Sequence, residues 1–219
     1  MAAGKFIVFE GIDGAGKTTQ MKLLAVALEK RGTPVLCTRE PGGTALGDRL
    51  RALLLDPACR DITRPAEAFL YAADRAQHVT EKILPALQRG ETVLCDRFIY
   101  STLAYQGGGR GLDREFLTKL NELATGGLAP DLVILLDLPA EEGMRRVAGN
   151  RSPDRLEGEK SDFFRQVRRG YLAQAESQPK LFKVIQAGAG VEAVHRSVLA
   201  SLESLASVAS VSKDKFFPG

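Results

Sequence analysis

The chain has 219 residues, of which 44% are hydrophobic, and its formal net charge is +3. This length suits one compact domain, and the mild basicity suits small anionic ligands without indicating nucleic acid. No apolar run reaches the roughly 18 residues of a membrane-spanning helix, and the apolar stretch near the N-terminus is too short for a signal peptide. We therefore predict a cytoplasmic protein with no membrane partner.

Strand-like and helix-like segments alternate along the chain. Apolar runs predict strands at 5–10, 34–40, 92–96, 131–138 and 181–187, and helical spacing predicts helices at 18–32, 46–56, 65–89, 113–124, 140–150, 162–176 and 191–206. Pro85 is expected to kink or break the third helix. The pattern predicts an α/β fold, a doubly wound five-stranded parallel sheet with helices on both faces. We assign residues 1–206 to this single domain, with a polar lid at about 149–160 and a flexible tail at 207–219.

The cysteines lack the spacing of a metal site. Cys37 and Cys95 lie inside apolar runs, and Cys59 stands apart from both. Because free cysteine is usually buried, we predict buried cytosolic thiols.

A glycine-rich loop follows the first predicted strand and leads into a helix. Its pattern is GxxxxGK[ST], carried by Gly11, Ile12, Asp13, Gly14, Ala15, Gly16, Lys17 and Thr18. Such a loop turns backbone N–H groups toward a phosphate chain, its lysine reaches the β- and γ-phosphates, and its threonine hydroxyl ligates Mg²⁺. Thr19 is expected to contact phosphate or to begin the helix. The chain contains neither NKxD nor LSGGQ, which argues against a GTPase and a transporter-type ATPase and favours a kinase for a small acceptor.

Two carboxylates compete for a second metal ligand. Asp96 ends the third predicted strand and is followed by Arg97, whereas Asp137 ends the fourth. Ligands gather at the carboxyl ends of strands in open α/β sheets. We favour Asp96 because the adjacent Arg97 is placed to clamp a phosphate.

Candidate acceptor residues lie between about 39 and 110. Arg39 and Glu40 end the second strand before a sharp Pro-Gly-Gly turn, and Arg51 follows on a helix; the remaining candidates are Tyr71, Arg75, Thr102, Tyr105, Gln106 and Arg110. Tyr71 and Arg75 share a helix face at i, i+4, where an aromatic ring can stack on a base. Their spacing alone equally fits a core tyrosine and a solvated arginine.

Together these segments resemble one family. FEGIDGAGKTT, TREPGGT, FLYAADR, CDRFIYSTLAYQGGGRG and NRSPDRLEGEKSDFF look like bacterial thymidylate kinase, in that order and at matching spacings. The resemblance covers roughly residues 4–200. It implies a P-loop kinase fold, transfer of a phosphoryl group from Mg²⁺–ATP to dTMP, and a homodimer, for which helices 46–56 and 65–89 offer apolar faces.

The resemblance also implies roles for individual residues. Tyr71 would stack on thymine, Arg75 would bond its O4, and Thr102 and Gln106 would read its N3 side. Tyr105 would disfavour a ribose 2′ hydroxyl, and Asp13 would approach the sugar 3′ hydroxyl or a metal-bound water. Arg39, Arg51 and Arg97 would surround the dTMP phosphate, and Arg146 would pack on adenine.

The catalytic arginines are expected on the lid. Some family members carry an arginine within the phosphate loop, and others carry it on the lid. This chain has Ala15 in the loop and Arg151 and Arg155 in the lid, so it resembles the lid-arginine type. Two alternatives stay open: a kinase for another small acceptor, and a P-loop ATPase or nucleotide switch.

Overall fold

The computed structural model describes residues 4–148 and 154–203. Within them, five parallel strands form one sheet in the order β2-β3-β1-β4-β5, namely β1 Phe6–Glu10, β2 Val35–Arg39, β3 Thr92–Asp96, β4 Leu132–Asp137 and β5 Phe182–Gln186. Each strand lies within one residue of its predicted bounds at either end. The predicted doubly wound parallel sheet is confirmed.

Helices cover both faces of this sheet. They are α1 Lys17–Glu29, α2 Ala45–Leu55, α3 Arg64–His78, α4 Leu84–Gln88, α5 Ile99–Thr102, α6 Arg114–Thr125, α7 Ala140–Val147, α8 Ser161–Ser177 and α9 Val191–Glu203. β1 and β4 are buried along their whole length, as parallel strands between two helical layers must be. β1 and β3 are adjacent parallel strands, so their carboxyl ends lie side by side in the middle of the sheet, where a ligand can approach.

The predicted helix 65–89 contains a wider turn instead of a break. α3 ends at His78, a π-helical segment spans Val79–Ile83, and α4 continues to Gln88. Pro85 has no backbone N–H to donate, and it lies in the first turn of α4, where that donor is not needed. Of the predicted kink or break at Pro85, the break is therefore wrong: the chain stays helical past Pro85, and the π-helical segment directly precedes α4.

A second π-helical segment, Leu103–Gly109, follows α5 and packs against α8. An added Cβ at Gly109 would overlap the Phe163 ring, and one at Gly108 would press on the Gln166 carbonyl. The glycine run therefore lets α8 approach this segment closely, which fixes the side chains that the segment presents to the site.

One cysteine prediction was wrong. Cys95 is buried on the central strand β3, but Cys37 is exposed because β2 is an edge strand with one face only partly covered. Cys59 is half-buried. None of the described helices combines the length and the apolar character needed to cross a bilayer.

Candidate active site

The glycine-rich loop joins β1 to α1 and is shaped by glycine conformations. Gly11, Gly14 and Gly16 have φ angles of 138°, 79° and 89°, which side-chain-bearing residues rarely adopt. Gly16 also stands as the N-cap of α1, so the helix N-terminus opens onto the loop. This arrangement fits an anion such as a phosphate chain.

Lys17 folds back across the loop. Its Nζ donates to the carbonyl oxygens of Gly11 and Ile12 at 3.0 Å each, and the side chain is buried. Burial and the nearby charge of Arg97 lower the pKa of Lys17. An arriving phosphate chain would therefore replace two carbonyl acceptors with stronger anionic ones.

The predicted metal ligands are in contact. Thr18 Oγ1 donates to Asp96 Oδ2 at 2.7 Å, which places a hydroxyl and a carboxylate beside the phosphate loop. Oxygen ligands of this kind suit Mg²⁺. The rival carboxylate, Asp137, instead accepts two hydrogen bonds from Arg168, at 2.6 and 2.9 Å, and one from Gln186. Asp137 is therefore a structural ion-pair partner in this arrangement.

Arg97 hydrogen-bonds both to the phosphate loop and to Tyr105 on the π-helical segment that follows α5. Its backbone adopts a left-handed conformation with φ of 74°, and its guanidinium donates to Asp13 Oδ1 at 2.6 Å, to Gly11 O at 2.9 Å and to the Tyr105 hydroxyl at 3.2 Å. Burial works against ionisation of Asp13, but the charges of Arg97 and Lys17 outweigh it and hold the pKa of Asp13 at about 2. Asp13 is therefore an anion at neutral pH.

Two cavities meet at this ion pair. The crevice along the phosphate loop is lined by Asp13, Gly14, Gly16, Lys17, Thr18, Thr19, Arg39, Glu40, Arg51, Asp96, Arg97 and Arg146. The second cavity, which we call the acceptor cavity, is lined by Asp13, Glu40, Arg51, Tyr71, Arg75, Arg97, Thr102, Tyr105 and Gln106, together with Pro41, Leu55, Ser101, Asp154 and Leu156. A donor and an acceptor bound in the two cavities would meet beside Asp13 and Arg97.

Arg75 forms a buried wall of the acceptor cavity and is 1% exposed. It donates to Glu40 at 2.8 Å, Thr102 Oγ1 at 2.9 Å, Asn121 Oδ1 at 2.7 Å and Phe98 O at 3.1 Å. The guanidinium is thus held by protein acceptors on several sides, so a base would share or exchange one of these bonds.

Three further predicted residues lie at the rim of the two cavities. Arg51 Nη1 donates to Pro41 O at 3.0 Å, Arg39 pairs with Asp48 at 3.6 Å, and both arginines line the phosphate-loop crevice. Arg146 donates to Gly14 O at 3.3 Å and to Ala187 O at 3.4 Å. An adjoining pocket lies beside α9 and is lined by Ala15, Gly16, Thr19, Gln20, Arg146, Ala187, Gly190, Val191 and Val194. Ile12 is buried against α7 and contributes backbone atoms to the loop.

The lid arginines stand apart from the crevice. Arg151 lies outside the described residues. Arg155 donates to Leu54 O at 2.8 Å and pairs with Glu67 at 2.6 Å. Arg110 also pairs with Glu67, at 3.4 Å, and with Glu159 at 2.5 Å. These contacts dock the second half of the lid onto α2 and α3, and Arg155 does not line the phosphate-loop crevice here.

Several residues near the site were not identified from the sequence. Glu10 accepts bonds from the Phe98 and Ser101 backbone and from the Ser101 and Tyr171 hydroxyls, so it ties β1 to the segment after β3. The sequence did contain a signal for Glu10, because it is a charged residue at the end of an otherwise apolar strand. Asn121 and Glu67 lie on helices, where a polar residue carries no comparable signal.

Comparisons with known proteins identify the family of this chain. The family model for thymidylate kinase matches residues 9–198. Thymidylate kinase of Pelotomaculum thermopropionicum is 53% identical over 203 residues, covering 92% of this chain and 94% of the relative. That of Desulfovibrio desulfuricans is 52% identical over 207 residues, covering 91% and 95%. The crystal structure of thymidylate kinase from Ehrlichia chaffeensis matches with a TM-score of 0.77 and 33% identity, covering 92% of this chain and all of that one.

Proposed function

Because the chain belongs to the thymidylate kinase family, we propose that the phosphate-loop crevice binds Mg²⁺–ATP and that the acceptor cavity binds dTMP. The chain phosphorylates dTMP to dTDP with ATP as the phosphoryl donor. The observation that carries the assignment of sites is the meeting of the two cavities at Asp13 and Arg97. In-line transfer requires donor and acceptor to approach at one such point.

On the donor side, the loop backbone and Lys17 would hold the ATP phosphates. Lys17 would exchange the carbonyls of Gly11 and Ile12 for phosphate oxygens. Thr18 and Asp96 would hold Mg²⁺, directly or through water, and the ion would neutralise charge on the phosphate oxygens. Arg146 and the Ala187–Gly190 side of the adjoining pocket would receive the adenine.

On the acceptor side, Tyr71 would stack on the thymine ring, and Arg75, Thr102 and Gln106 would read its edge. The Tyr105 hydroxyl donates to Asp13 Oδ2 at 3.0 Å, which supports a place for both beside the sugar. The dTMP phosphate would lie among the three arginines at the junction of the cavities, Arg39, Arg51 and Arg97, with Glu40 behind them as the anchor of Arg75.

Catalytic charge from the lid is part of the same proposal. Arg151 and Arg155 would stabilise the transferring phosphoryl group, as in lid-arginine members of the family. Arg155 is held by Glu67 and Leu54 here, so its participation requires that ion pair to open.

We further propose a cytoplasmic homodimer. Its interface would be an apolar face on α2, α3 and α6, formed by Leu46, Leu53, Phe69, Phe116 and Leu123, each at least 37% exposed. α3 packs against both other helices, and Phe69 on α3 contacts Phe116 on α6, which supports a face that spans the three helices. A cytoplasmic location follows from the substrates, which are cytoplasmic metabolites.

ADP formation from Mg²⁺–ATP with and without dTMP tests the assignment. We expect turnover to depend on dTMP, to fall with dUMP, CMP and GMP, and to be abolished by Lys17→Ala. ATP hydrolysis that proceeds equally well without an acceptor would instead support a nucleotide switch.

A further inference from the structure

We propose that Glu67 is a positioning residue for base specificity: it orients the Gln106 carboxamide so that the acceptor cavity selects a base with a protonated imide nitrogen and rejects an aminopyrimidine. This inference rests on the proposed function, in which Gln106 faces the base. It concerns a residue of α3 that does not itself line the acceptor cavity.

The contact that carries the inference is buried. Glu67 lies one helical turn before Tyr71 and is 1% exposed, and Gln106 lies on the π-helical segment Leu103–Gly109 and is 2% exposed. Gln106 Nε2 donates to Glu67 Oε1 at 2.8 Å. Both residues are enclosed by packed helices, so the carboxamide has little room to find another partner.

Glu67 is held as a carboxylate. Burial works to raise its pKa, but the hydrogen bond from Gln106 and the charges of Arg110 and Arg155 outweigh burial and lower the pKa below its usual value. Arg155 lies at 2.6 Å from Oε2 and Arg110 at 3.4 Å from Oε1. An ionised carboxylate accepts hydrogen bonds and cannot donate them.

An acceptor-only partner fixes which end of the carboxamide faces it. The NH₂ group of Gln106 must turn toward Glu67, since the alternative would place two acceptor oxygens together. The carbonyl Oε1 is then left for the cavity, and no donor among residues 4–148 and 154–203 bonds it. The cavity therefore presents an acceptor at this position.

This polarity distinguishes pyrimidines. Thymine and uracil carry an N–H at N3, which donates to an acceptor, whereas N3 of cytosine is itself an acceptor. Two acceptors facing each other in a buried site leave both unpaired, which costs more than the loss of one hydrogen bond. Glu67 thus acts on the base through Gln106, without touching it.

The test compares kcat/KM for dTMP with kcat/KM for dCMP. Glu67→Gln keeps the size of the side chain but can accept or donate, so Gln106 becomes free to turn either way. We expect the dTMP:dCMP ratio to fall at least about tenfold, because a flipped Gln106 can donate to cytosine N3. Arg75 is unchanged in both enzymes, so its reading of position 4 cancels from the comparison.

Two matched variants make the result specific. Glu159→Gln removes the other carboxylate partner of Arg110 and leaves Gln106 untouched, so it should preserve the ratio. Gln106→Ala should lower the ratio as Glu67→Gln does. If Gln106→Ala lowers it and a folded Glu67→Gln enzyme keeps it, the positioning role is overturned. If Gln106→Ala itself has no effect on dTMP turnover or on the ratio, the proposed acceptor site fails first.

Wild-type enzyme supplies a second measurement should Glu67→Gln fail to fold. The Gln106 side-chain amide, assigned by its loss in the Gln106→Ala spectrum, should be protected from hydrogen exchange both with and without dTMP. Protection that appears only when dTMP is bound would mean that the NH₂ group faces the base, and would overturn the proposal.

Discussion

The Thr18 hydroxyl and the Asp96 carboxylate are joined by a hydrogen bond of 2.7 Å, although the two residues are 78 positions apart. Thr18 stands in the first turn of α1 and Asp96 at the end of β3. They meet because β1, which leads into the phosphate loop, pairs in parallel with β3, with Phe9 opposite Asp96. The parallel sheet thus brings a hydroxyl and a carboxylate together beside the place proposed for the ATP phosphates.

The first prediction concerns Mg²⁺. Asp96→Asn removes the negative charge that would hold the ion while keeping the shape of the side chain. We expect the Mg²⁺ concentration for half-maximal activity to rise at least about tenfold, because the site would bind the ion more weakly. We also expect kcat to fall, because Mg²⁺ would neutralise less of the negative charge on the phosphate oxygens. A Mg²⁺ titration at saturating ATP and dTMP measures both effects.

Asp137→Asn is the matched control, since Asp137 ends β4, which pairs with β1 on the side opposite β3. Its carboxylate is engaged by Arg168, so the substitution should lower thermal stability and leave the Mg²⁺ requirement unchanged. If Asp137→Asn shifts the Mg²⁺ titration and Asp96→Asn does not, the metal role belongs to Asp137.

The second prediction concerns Tyr71. Tyr71→Ala should weaken dTMP binding by about ten- to a hundredfold and leave ATP binding nearly unchanged, since base–aromatic stacking contributes roughly 1–3 kcal/mol. Tyr71→Phe keeps the ring and should bind dTMP nearly as well as wild type. Calorimetric titrations with each nucleotide separate the two effects. Normal dTMP affinity in Tyr71→Ala would exclude stacking.

The third prediction concerns the lid arginines. Arg155→Ala should lower kcat more than it raises the KM for dTMP, and an arginine acting on the transferring phosphoryl group can account for about 10³-fold in rate. Single-turnover kinetics measures the chemical step directly. Arg151→Ala, assayed in parallel, shows which of the two arginines carries more of the effect.

Arg155 also has a structural role that the same variant removes. Among residues 4–148 and 154–203, its loss leaves Arg110 as the charged partner of the buried Glu67, so we expect lower thermal stability as well. An Arg155→Ala enzyme with reduced stability and an unchanged single-turnover rate would make Arg155 a lid anchor only.

The strands and the phosphate loop were predictable because their signals are local. Each strand is an apolar run bounded by turn residues. The loop is a contiguous pattern whose glycines let the backbone turn its N–H groups toward a phosphate chain. The π-helical segment at Val79–Ile83 has no such signal, since a helix with i→i+5 bonds keeps nearly the side-chain pattern of an α-helix. Exposure of Cys37 depended on the order of strands, which the apolar runs do not report.

The contacts that organise the acceptor cavity were not predictable. Arg75 bonds Glu40, 35 positions away, and Asn121, 46 positions away. Spacing along one helix placed Tyr71 and Arg75 on a common face but left open whether they were core residues. Family resemblance supplied the site residues, whereas the partners of Arg155 and Gln106 became visible only once α2, α3 and the lid were packed together.

The fourth prediction concerns pH and stability. Asp74 is fully buried. Its Oδ1 accepts a hydrogen bond from Gly42 N at 2.9 Å, and its Oδ2 has no hydrogen-bond partner among the described residues. Burial and the nearby charge of Glu40 raise its pKa to about 7, against the lowering effects of the Gly42 N–H and the charges of His78 and Arg75. The folded state therefore binds this proton more tightly than the unfolded state does.

This difference in proton binding sets the direction in which stability changes with pH. Between about pH 4 and pH 7 the folded state holds more protons, so this carboxyl lowers the free energy of unfolding as pH rises, by an amount on the order of a few kcal/mol. Asp74→Asn cannot ionise and should flatten that fall. Thermal unfolding of both proteins from pH 5 to pH 8 measures the difference, expected to be several degrees. Parallel curves for the two proteins would show that Asp74 does not titrate in this range.

The fifth prediction concerns the apolar face on α2, α3 and α6. Phe69 is 54% exposed and packs edge-to-face on Phe116 at 5.9 Å between ring centroids, and Leu123 is 64% exposed. An exposed patch of this kind marks an interface, and a charge buried at its centre without a partner is costly. Phe69→Glu should therefore convert a dimer of 23.7-kDa chains to monomers, as measured by sedimentation equilibrium.

Val26→Glu places the same charge at a 48% exposed position on α1 and should leave the dimer intact. Equal masses for wild type and Phe69→Glu would exclude this face as the interface.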